Sequence, residues 1–330
     1  MLEHGGRLRA AAQHYGIPLA AWLDLSTGLA PWPFEFPALP ASVWQRLPEA
    51  DDGLAAVAAQ RYGAAQALPV AGAQAAIQLL PQLRSAGSRV GIVAPCYAEH
   101  AQAWQRAGHQ LLALSDCQIE AALERLDVLL LVNPNNPSGR LFKPAQLLTW
   151  HARLAARGGW LLVDEAFIDA SPELSLAAHS HTPGLIVLRS FGKFYGLAGV
   201  RLGFVLAEPS LLNDLHERLG PWAVSGPARW LGLSCLADEA AHRQQRLRLQ
   251  QASQRLADLL GEYGLLSQGC ALFQWLPSPR AAALDQQFAR RGILLRHFTQ
   301  PQSLRFGLPA TEHDWQRLRL ALDDIAGSNR

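Results

Sequence analysis

The sequence predicts an α/β fold, in which a mainly parallel sheet is flanked by helices and followed by a smaller α+β domain. Short, almost wholly apolar segments alternate with helical patterns, at residues 89–94, 127–132, 160–163 and 185–188. Strands that are apolar on both faces are typical of parallel sheets with helices on each side. After about residue 211 a long helical stretch precedes several strand-like segments, which indicates the second domain.

Three regions follow from these patterns. Residues 1–40 form an N-terminal arm that joins the small domain, and the arm ends in a stretch rich in Pro and Trp that favours extended backbone. Residues 41–211 form the large domain, which contains the predicted parallel sheet. Residues 212–330 form the small C-terminal domain, with strands expected at 271–276, 293–296 and 303–307.

Composition narrows the functional class. A chain of 330 residues with 49% hydrophobic and 17% charged residues is typical of a globular protein. The net charge of +2, with no basic block, argues against nucleic acid and membrane surfaces as partners. No signal-peptide pattern and no run of about 18 apolar residues is present, so a cytoplasmic protein is expected. Four scattered cysteines predict reduced side chains, and no metal site is expected, His179 and His181 being assigned to a solvated loop.

Lys193 is one of only two lysines among 29 basic residues, the other being Lys143. It lies in a glycine-spaced, largely apolar run, Ser-Phe-Gly-Lys-Phe-Tyr-Gly-Leu-Ala-Gly-Val-Arg-Leu-Gly. Arginine could supply charge there, but it could not supply an amine that loses its proton and attacks a carbonyl. Lys193 is therefore predicted to be a Schiff-base lysine, which indicates pyridoxal phosphate chemistry. A surface charge and a phosphate-binding lysine are the alternatives, although the spacing is not that of a P-loop.

Two further polar motifs follow predicted strands. Ligands of open parallel sheets bind beyond the carboxyl ends of the strands. Asn136 lies in the Asn-Pro-Asn-Asn-Pro segment after one strand, and Asp164 follows the next. Asp164 could keep a pyridine nitrogen protonated, and Asn136 could donate to the phenolic oxygen of the ring. Taken alone, the first motif is equally typical of a simple turn, and the carboxylate is more often structural.

A phosphate clamp is predicted around the lysine. Ser190 and Arg201 flank Lys193, and the backbone N–H groups of Ala73 and Gln74 open a predicted helix. Tyr97 could stack on the face of the cofactor ring. The ordered set of all these residues favours the chemical interpretation over the structural one.

This set resembles the fold-type I pyridoxal-phosphate enzymes, in which Asn-Pro, Asp, Ser-x-x-Lys and an Arg eight residues after the Lys occur in this order. Asn-Asn-Pro-Ser-Gly, Asp-Glu-Ala-Phe and Gly-Leu-Ala-Gly-Val-Arg-Leu-Gly are similar to the histidinol-phosphate aminotransferase branch. The resemblance runs from His4 to about Leu322. It implies a fold-type I transferase fold and a homodimer with shared active sites.

Within that branch the chain resembles the threonine-phosphate decarboxylases of cobalamin biosynthesis. It begins with His4-Gly5-Gly6, it has Phe167 where the aminotransferases usually have Tyr, and it contains a Pro-Trp-Ala-Val segment at 221–224. The resemblance implies decarboxylation of L-threonine O-3-phosphate to (R)-1-amino-2-propanol O-2-phosphate.

The resemblance also implies the substrate-binding residues. Arg305 matches the arginine that binds the substrate carboxylate, Arg296 matches a second arginine near the substrate, and His4 completes the set. The alternative for each arginine is a salt bridge at a domain edge. Two departures affect substrate contacts: Leu47 replaces a tyrosine that reaches the partner's active site, and the segment around Gly28 lacks the usual asparagines.

Two other functions stay open at this point. A histidinol-phosphate aminotransferase would share every cofactor residue and differ in which bond at Cα is aligned for cleavage. A non-catalytic relative that acts as a binding protein would keep the fold without turnover, and the joint presence of Lys193, Asp164, Asn136 and Arg201 argues against it.

Overall fold

The computed structural model describes residues 4–327. The described residues form thirteen α-helices: α1 Leu8–Tyr15, α2 Ser42–Gln45, α3 Leu54–Tyr62, α4 Ala73–Leu79, α5 Ala98–Arg106, α6 Ile119–Ala122, α7 Pro144–Ala155, α8 Phe191–Phe194, α9 Pro209–Leu219, α10 Gly226–Ala237, α11 Glu239–Glu262, α12 Ala281–Arg290 and α13 Glu312–Gly327. They also form thirteen strands: β1 Leu23–Asp24, β2 Leu68–Val70, β3 Arg89–Val93, β4 Gln110–Leu114, β5 Val128–Val132, β6 Trp160–Asp164, β7 Leu185–Ser190, β8 Gly203–Leu206, β9 Gln268–Cys270, β10 Phe273–Pro277, β11 Ile293–Leu294, β12 Arg296–Thr299 and β13 Gln302–Gly307.

The chain divides into two compact units. The first unit comprises the chain up to Trp32, a short segment Pro137–Gly139 and the chain from Gln245 on. The second unit comprises Pro33–Asn136 and Arg140–Gln244. Helix α10 and all of α9 therefore group with the second unit, whereas the predicted boundary at residue 211 cuts α9 and assigns α10 to the small domain. The predicted domain limits stay a prediction.

The second unit is built on a seven-stranded sheet with the order β2-β8-β7-β6-β5-β3-β4. Strands β4, β3, β5, β6 and β7 pair in parallel, and β8 runs antiparallel to both of its neighbours. The central strand β5 is buried along its whole length. This is the mainly parallel sheet that the apolar strand segments predict.

The sheet also contains strands that the sequence patterns did not predict. The edge strand β2 has only three residues and contains Pro69. Strand β8 has four residues and begins ten residues after Lys193. Proline at a sheet edge is tolerated because no ladder hydrogen bond is lost on the outer side. Strands this short offer too few residues for a periodic pattern.

The first unit contains a four-stranded antiparallel sheet of order β12-β13-β10-β9 and a two-stranded parallel sheet of β1 and β11. The single strand predicted at 293–296 is in fact two strands. Ile293–Leu294 pairs with β1, whereas the strand from Arg296 pairs with β13. The chain changes partners at the buried Leu295, and an apolar run alone does not show such a change.

Two features are absent from residues 4–327. No helix in this part of the chain is both long and apolar enough to cross a membrane. No group of three or more His, Cys, Asp and Glu side chains there is placed to hold a metal ion.

Candidate active site

The carboxyl ends of β5, β6 and β7 bring three predicted site segments to one edge of the sheet in the second unit. The Asn-Pro loop after β5 is fixed by its own amides. Asn133 exchanges two hydrogen bonds with the backbone of Phe142, at 2.8 and 3.2 Å, and Asn135 Nδ2 donates to the Pro95 carbonyl at 2.9 Å. The loop therefore presents Asn136, which is half-buried, from a rigid frame.

Asp164 is the last residue of β6, and it is only 4% exposed. Its Oδ1 accepts a hydrogen bond from the backbone N–H of Ala166 at 3.0 Å, and its Oδ2 lies 2.8 Å from Nε2 of the buried His100. Both carboxylate oxygens are thus held, so the orientation of the group is fixed. His100 was not among the residues predicted from the sequence. Its position three residues after Tyr97, one helical turn along α5, is the only signal that could have pointed to it.

Lys193 lies on α8, a single helical turn that follows β7 directly. The side chain is half-buried, and Nζ lies 5.8 Å from the centre of the Phe167 ring. Phe167 is buried and comes from the segment after β6. The lysine amine is thus placed beside an apolar ring at the same sheet edge as Asp164.

The predicted phosphate-binding groups converge on two glycines. Gly203 pairs with Ser190 across β7 and β8, and a Cβ at Gly203 would lie 2.5 Å from the backbone N of Ala73. A Cβ at Gly72, which has φ of +72°, would lie 2.6 Å from a guanidinium nitrogen of Arg201. The absence of side chains at both positions lets Ser190, Arg201 and the N-terminus of α4 approach one another closely. Hydroxyl, guanidinium and backbone N–H donors together suit a phosphate group.

Tyr97 is tied to the start of α4 through side chains. Its hydroxyl donates to Oε1 of Gln74 at 3.3 Å, and Gln74 Nε2 donates to Glu99 at 2.9 Å. Burial, with a smaller contribution from Glu99, raises the pKa of Tyr97 to about 12. Tyr97 therefore stays a neutral hydrogen-bond donor, and its ring lies edge-on to His100 with 6.1 Å between ring centres.

In the first unit, the register of β12 and β13 places Arg296 directly opposite Arg305. Arg305 is only 6% exposed, and burial, together with the nearby charge of Arg296, lowers its pKa to about 10. Its Nη2 donates to the carbonyl of Ser26 at 2.9 Å. Arg296 and Arg305 thus hold two positive charges side by side, and the charge of Arg305 is removed from water. A bound anion would offset the repulsion between them.

The N-terminal His4-Gly5-Gly6 segment is tied to the same serine. The backbone N–H of Gly6 donates to Ser26 Oγ at 2.7 Å, and a Cβ at Gly5 would lie 2.4 Å from the Ser26 carbonyl oxygen. Glycine at position 5 therefore permits the close approach of the two segments. His4 is exposed at the start of the described chain. The three residues predicted to bind substrate thus all lie in the first unit, where Ser26 connects to the segment of His4 on one side and to Arg305 on the other.

The residues of the second unit fit the pyridoxal phosphate that the resemblance implies. A buried carboxylate with both oxygens fixed suits a protonated pyridine nitrogen, since an opposite charge favours both ionised forms. The absence of side chains at Gly72 and Gly203 lets the phosphate-binding candidates Arg201, Ser190 and the backbone N–H of Ala73 lie close together. Lys193, at the same edge, supplies the amine that holds such a cofactor.

Comparison with known proteins gives two close relatives. A threonine-phosphate decarboxylase of Pseudomonas aeruginosa is 62% identical over 323 residues, which cover 98% of this chain and 97% of the relative. A threonine-phosphate decarboxylase of a Sinorhizobium species is 42% identical over 332 residues, which cover 97% of each chain. The predicted resemblance is confirmed by both matches.

Solved structures and a family model confirm the fold class. A histidinol-phosphate aminotransferase from Sinorhizobium meliloti, solved in complex with pyridoxal-5'-phosphate, has a TM-score of 0.83 at 20% identity and covers all of this chain and 96% of its own. The model of aminotransferase class I and II matches residues 45–323. The predicted fold-type I architecture and the predicted pyridoxal phosphate dependence are confirmed. The chain belongs to the aminotransferase class I and II family.

Proposed function

We propose that this protein is a pyridoxal-phosphate-dependent carboxy-lyase that converts L-threonine O-3-phosphate to (R)-1-amino-2-propanol O-2-phosphate and carbon dioxide. The observation that carries the proposal is the 62% identity to a threonine-phosphate decarboxylase over nearly the full length of both chains. The product would serve cobalamin biosynthesis. In this reaction the bond between Cα and the carboxylate breaks, its electron pair stays on Cα, and Cα takes up one proton.

Pyridoxal phosphate, when bound, supplies an electron-accepting ring that stabilises negative charge at the substrate Cα. Asp164, held by His100 and Ala166, would keep the ring nitrogen protonated. Lys193 would hold the cofactor and then deliver a proton to Cα after carbon dioxide has left. The buried Phe167 ring, 5.8 Å from Nζ, would limit the access of water to one side of the amine.

The remaining second-unit residues would orient the cofactor. Ser190, Arg201 and the backbone N–H groups of Ala73 and Gln74 would bind its phosphate. Asn136 would donate to its phenolic oxygen, and Tyr97 would lie against the ring face. Five separate segments would then fix the plane of the ring.

Substrate selection would depend on the arginines of the first unit. Cleavage at Cα requires the breaking bond to be perpendicular to the ring plane, so a decarboxylase must hold the carboxylate in that position. Arg305 would bind the carboxylate, because its guanidinium is buried and already fixed by Ser26. Arg296 and His4 would bind the substrate phosphate, which needs a second positive group.

A cytoplasmic homodimer is the proposed form of the enzyme. Large apolar side chains of the second unit are exposed at its surface, with Trp44, Leu47 and Trp222 between 59% and 68% exposed. Aromatic side chains are enriched at protein–protein interfaces, so these exposed residues support an interface between subunits. Sedimentation of the wild type and of Trp44→Glu tests the assignment, since a charge in an apolar interface should produce monomers.

The test of function uses two substrates in parallel. Purified protein with added pyridoxal phosphate should release carbon dioxide from L-threonine O-3-phosphate, and it should form no glutamate from histidinol phosphate with 2-oxoglutarate present as acceptor. Glutamate formation without carbon dioxide release would assign the protein to the aminotransferases instead. Protein that neither reacts nor develops the visible absorbance of a bound cofactor would be a non-catalytic relative.

A further inference from the structure

The helix that carries Lys193 is too short to hold itself in place. α8 contains four residues, Phe191–Phe194. An isolated helix of this length is unstable, because the entropy lost on fixing its first turn exceeds the free energy gained from a single hydrogen bond. The position of Lys193 therefore depends on the residues on either side of the helix. Two of these, Arg189 before it and Tyr195 after it, are 2% and 0% exposed.

The anchor before the helix is an ion network around Arg189. Its guanidinium lies 3.1 Å from Glu165 and 2.5 Å from Asp169, and Glu165 also accepts from Ser175 Oγ and from the backbone N–H of Leu176. Burial disfavours every charge here, yet the carboxylates of Asp169 and Glu165 outweigh it and raise the pKa of Arg189. The network thereby ties the end of β7 to the end of β6.

The consequence for the site follows from strand geometry. Successive side chains of a strand point to opposite faces of the sheet. Arg189 therefore points to the face of the sheet opposite to its neighbour Ser190, and Glu165 directly follows Asp164, the last residue of β6. Holding Arg189 and Glu165 in place thus restrains Ser190 and Asp164, although Arg189 and Glu165 are not among the predicted cofactor contacts.

The anchor after the helix is a hydrogen bond between Tyr195 and His242. The Tyr195 hydroxyl lies 3.0 Å from His242 Nε2, and His242 Nδ1 lies 2.5 Å from the Asp238 carbonyl. A carbonyl only accepts, so Nδ1 carries the proton. Burial, with a smaller contribution from Arg61, lowers the pKa of His242 to about 4, so the ring is neutral and Nε2 accepts from Tyr195.

Tyr62 packs against the first anchor. The Arg189 guanidinium lies 4.2 Å from the centre of the Tyr62 ring, so an aromatic face covers the buried charge. The chain is therefore held on both sides of the helix, by the ion network before it and by the hydrogen bond to His242 after it.

We propose that Tyr195, His242, Arg189 and Glu165 are positioning residues that hold Lys193 in the orientation in which its amine reaches the cofactor. The inference rests on the proposed role of Lys193. Loss of an anchor lets the one-turn helix occupy other positions within the folded protein. The affinity for the cofactor then falls in proportion to the fraction of molecules that keep the competent position.

Tyr195→Phe is the sharpest variant for this test. It removes the hydroxyl but keeps the ring, which stacks on Phe191 with 4.2 Å between ring centres and an angle of 12°. Cofactor-free protein titrated with pyridoxal phosphate should show an affinity roughly fivefold to tenfold weaker than wild type, the effect of one buried hydrogen bond. The visible circular dichroism of the bound cofactor should change as well.

His242→Phe and His151→Phe form a matched pair of variants. His151 is a buried histidine of the same unit, and its Nε2 lies 3.0 Å from the Pro183 carbonyl. Both substitutions should lower the melting temperature, but only His242→Phe should weaken cofactor binding. Wild-type affinity and circular dichroism in Tyr195→Phe and His242→Phe would overturn the positioning role alone. A wild-type protein that does not bind the cofactor through Lys193 would overturn the proposed function and this inference with it.

Discussion

The two units carry their functional residues in different ways. In the second unit, Asp164 and Ser190 are the last residues of neighbouring parallel strands, and Lys193 follows one turn later. In the first unit, Arg296 and Arg305 become neighbours only through the register of two antiparallel strands. The proposed cofactor residues are thus brought together by their positions at the ends of neighbouring strands, whereas the proposed anion-binding arginines are brought together by strand pairing. Variants in each unit can separate the two proposed roles.

The largest effect is expected from Lys193→Ala. Loss of the amine should lower turnover by about 10³-fold or more, because it removes both the group that holds the cofactor and a proton donor. The visible absorbance of the bound cofactor should disappear too. Lys143→Ala is the matched control, since Lys143 is the other lysine of the chain and is exposed. Turnover in Lys193→Ala at the wild-type level would remove this lysine from the mechanism.

Arg305→Ala should weaken the reaction with substrate without weakening cofactor binding. A buried charge-assisted hydrogen bond contributes about 1.5–3 kcal/mol, so kcat/KM for L-threonine O-3-phosphate should fall roughly 10- to 100-fold. Affinity for pyridoxal phosphate should stay at the wild-type value. The pKa of Arg305 is lowered to about 10, so the charge is lost at higher pH values. At pH values above about 10, the KM of the wild type should therefore increase. Arg319→Ala, which breaks an exposed ion pair with Glu262, should leave kcat/KM and cofactor affinity unchanged. Wild-type kcat/KM in Arg305→Ala would exclude Arg305 from the site.

His100→Asn tests whether Asp164 depends on its buried partner. Loss of the 2.8 Å contact should weaken cofactor binding by roughly tenfold, as one buried hydrogen bond to a charged group does. His109 is also buried and bonds the Pro81 carbonyl at 2.8 Å, so His109→Asn should cost stability without changing the affinity. Equal cofactor affinities in the two variants would mean that His100 is a packing residue.

The smallest effect is the pH dependence of stability due to His242. Its pKa is about 4 in the folded protein and near 6.5 when exposed, so the unfolded chain binds more protons between these values. The free energy of unfolding should therefore fall as the pH is lowered from 6.5 to about 4, by ~2 kcal/mol. Denaturant unfolding at several pH values measures this slope. The slope should be shallower in His242→Phe, and an identical slope would place the titrating group elsewhere.

Much of the second unit could be predicted from the sequence. Apolar strand segments and the polar residues that end them are local patterns, so Asn136, Asp164, Ser190 and Lys193 were placed at one sheet edge without a structure. Their roles as cofactor contacts stay predictions. The fold class was predictable for the same reason, because strands buried on both faces need helices on both sides.

The remaining features depend on long-range contacts that no local pattern encodes. His100 and Asp164 are 64 residues apart, and Tyr195 and His242 are 47 residues apart. The pairing of Arg296 with Arg305 depends on a strand that begins only after the chain changes partners at Leu295. Such contacts arise from packing, so a single sequence carries no direct signal for them.

The most direct measurement is the reaction of L-threonine O-3-phosphate in D₂O, with carbon dioxide and the mass of the product followed together. The mechanism predicts one molecule of carbon dioxide per product molecule and a single deuterium on the carbon that lost the carboxylate, with neither formed in Lys193→Ala. Consumption of the substrate with no carbon dioxide, or with glutamate formed from added 2-oxoglutarate, would contradict the decarboxylase assignment.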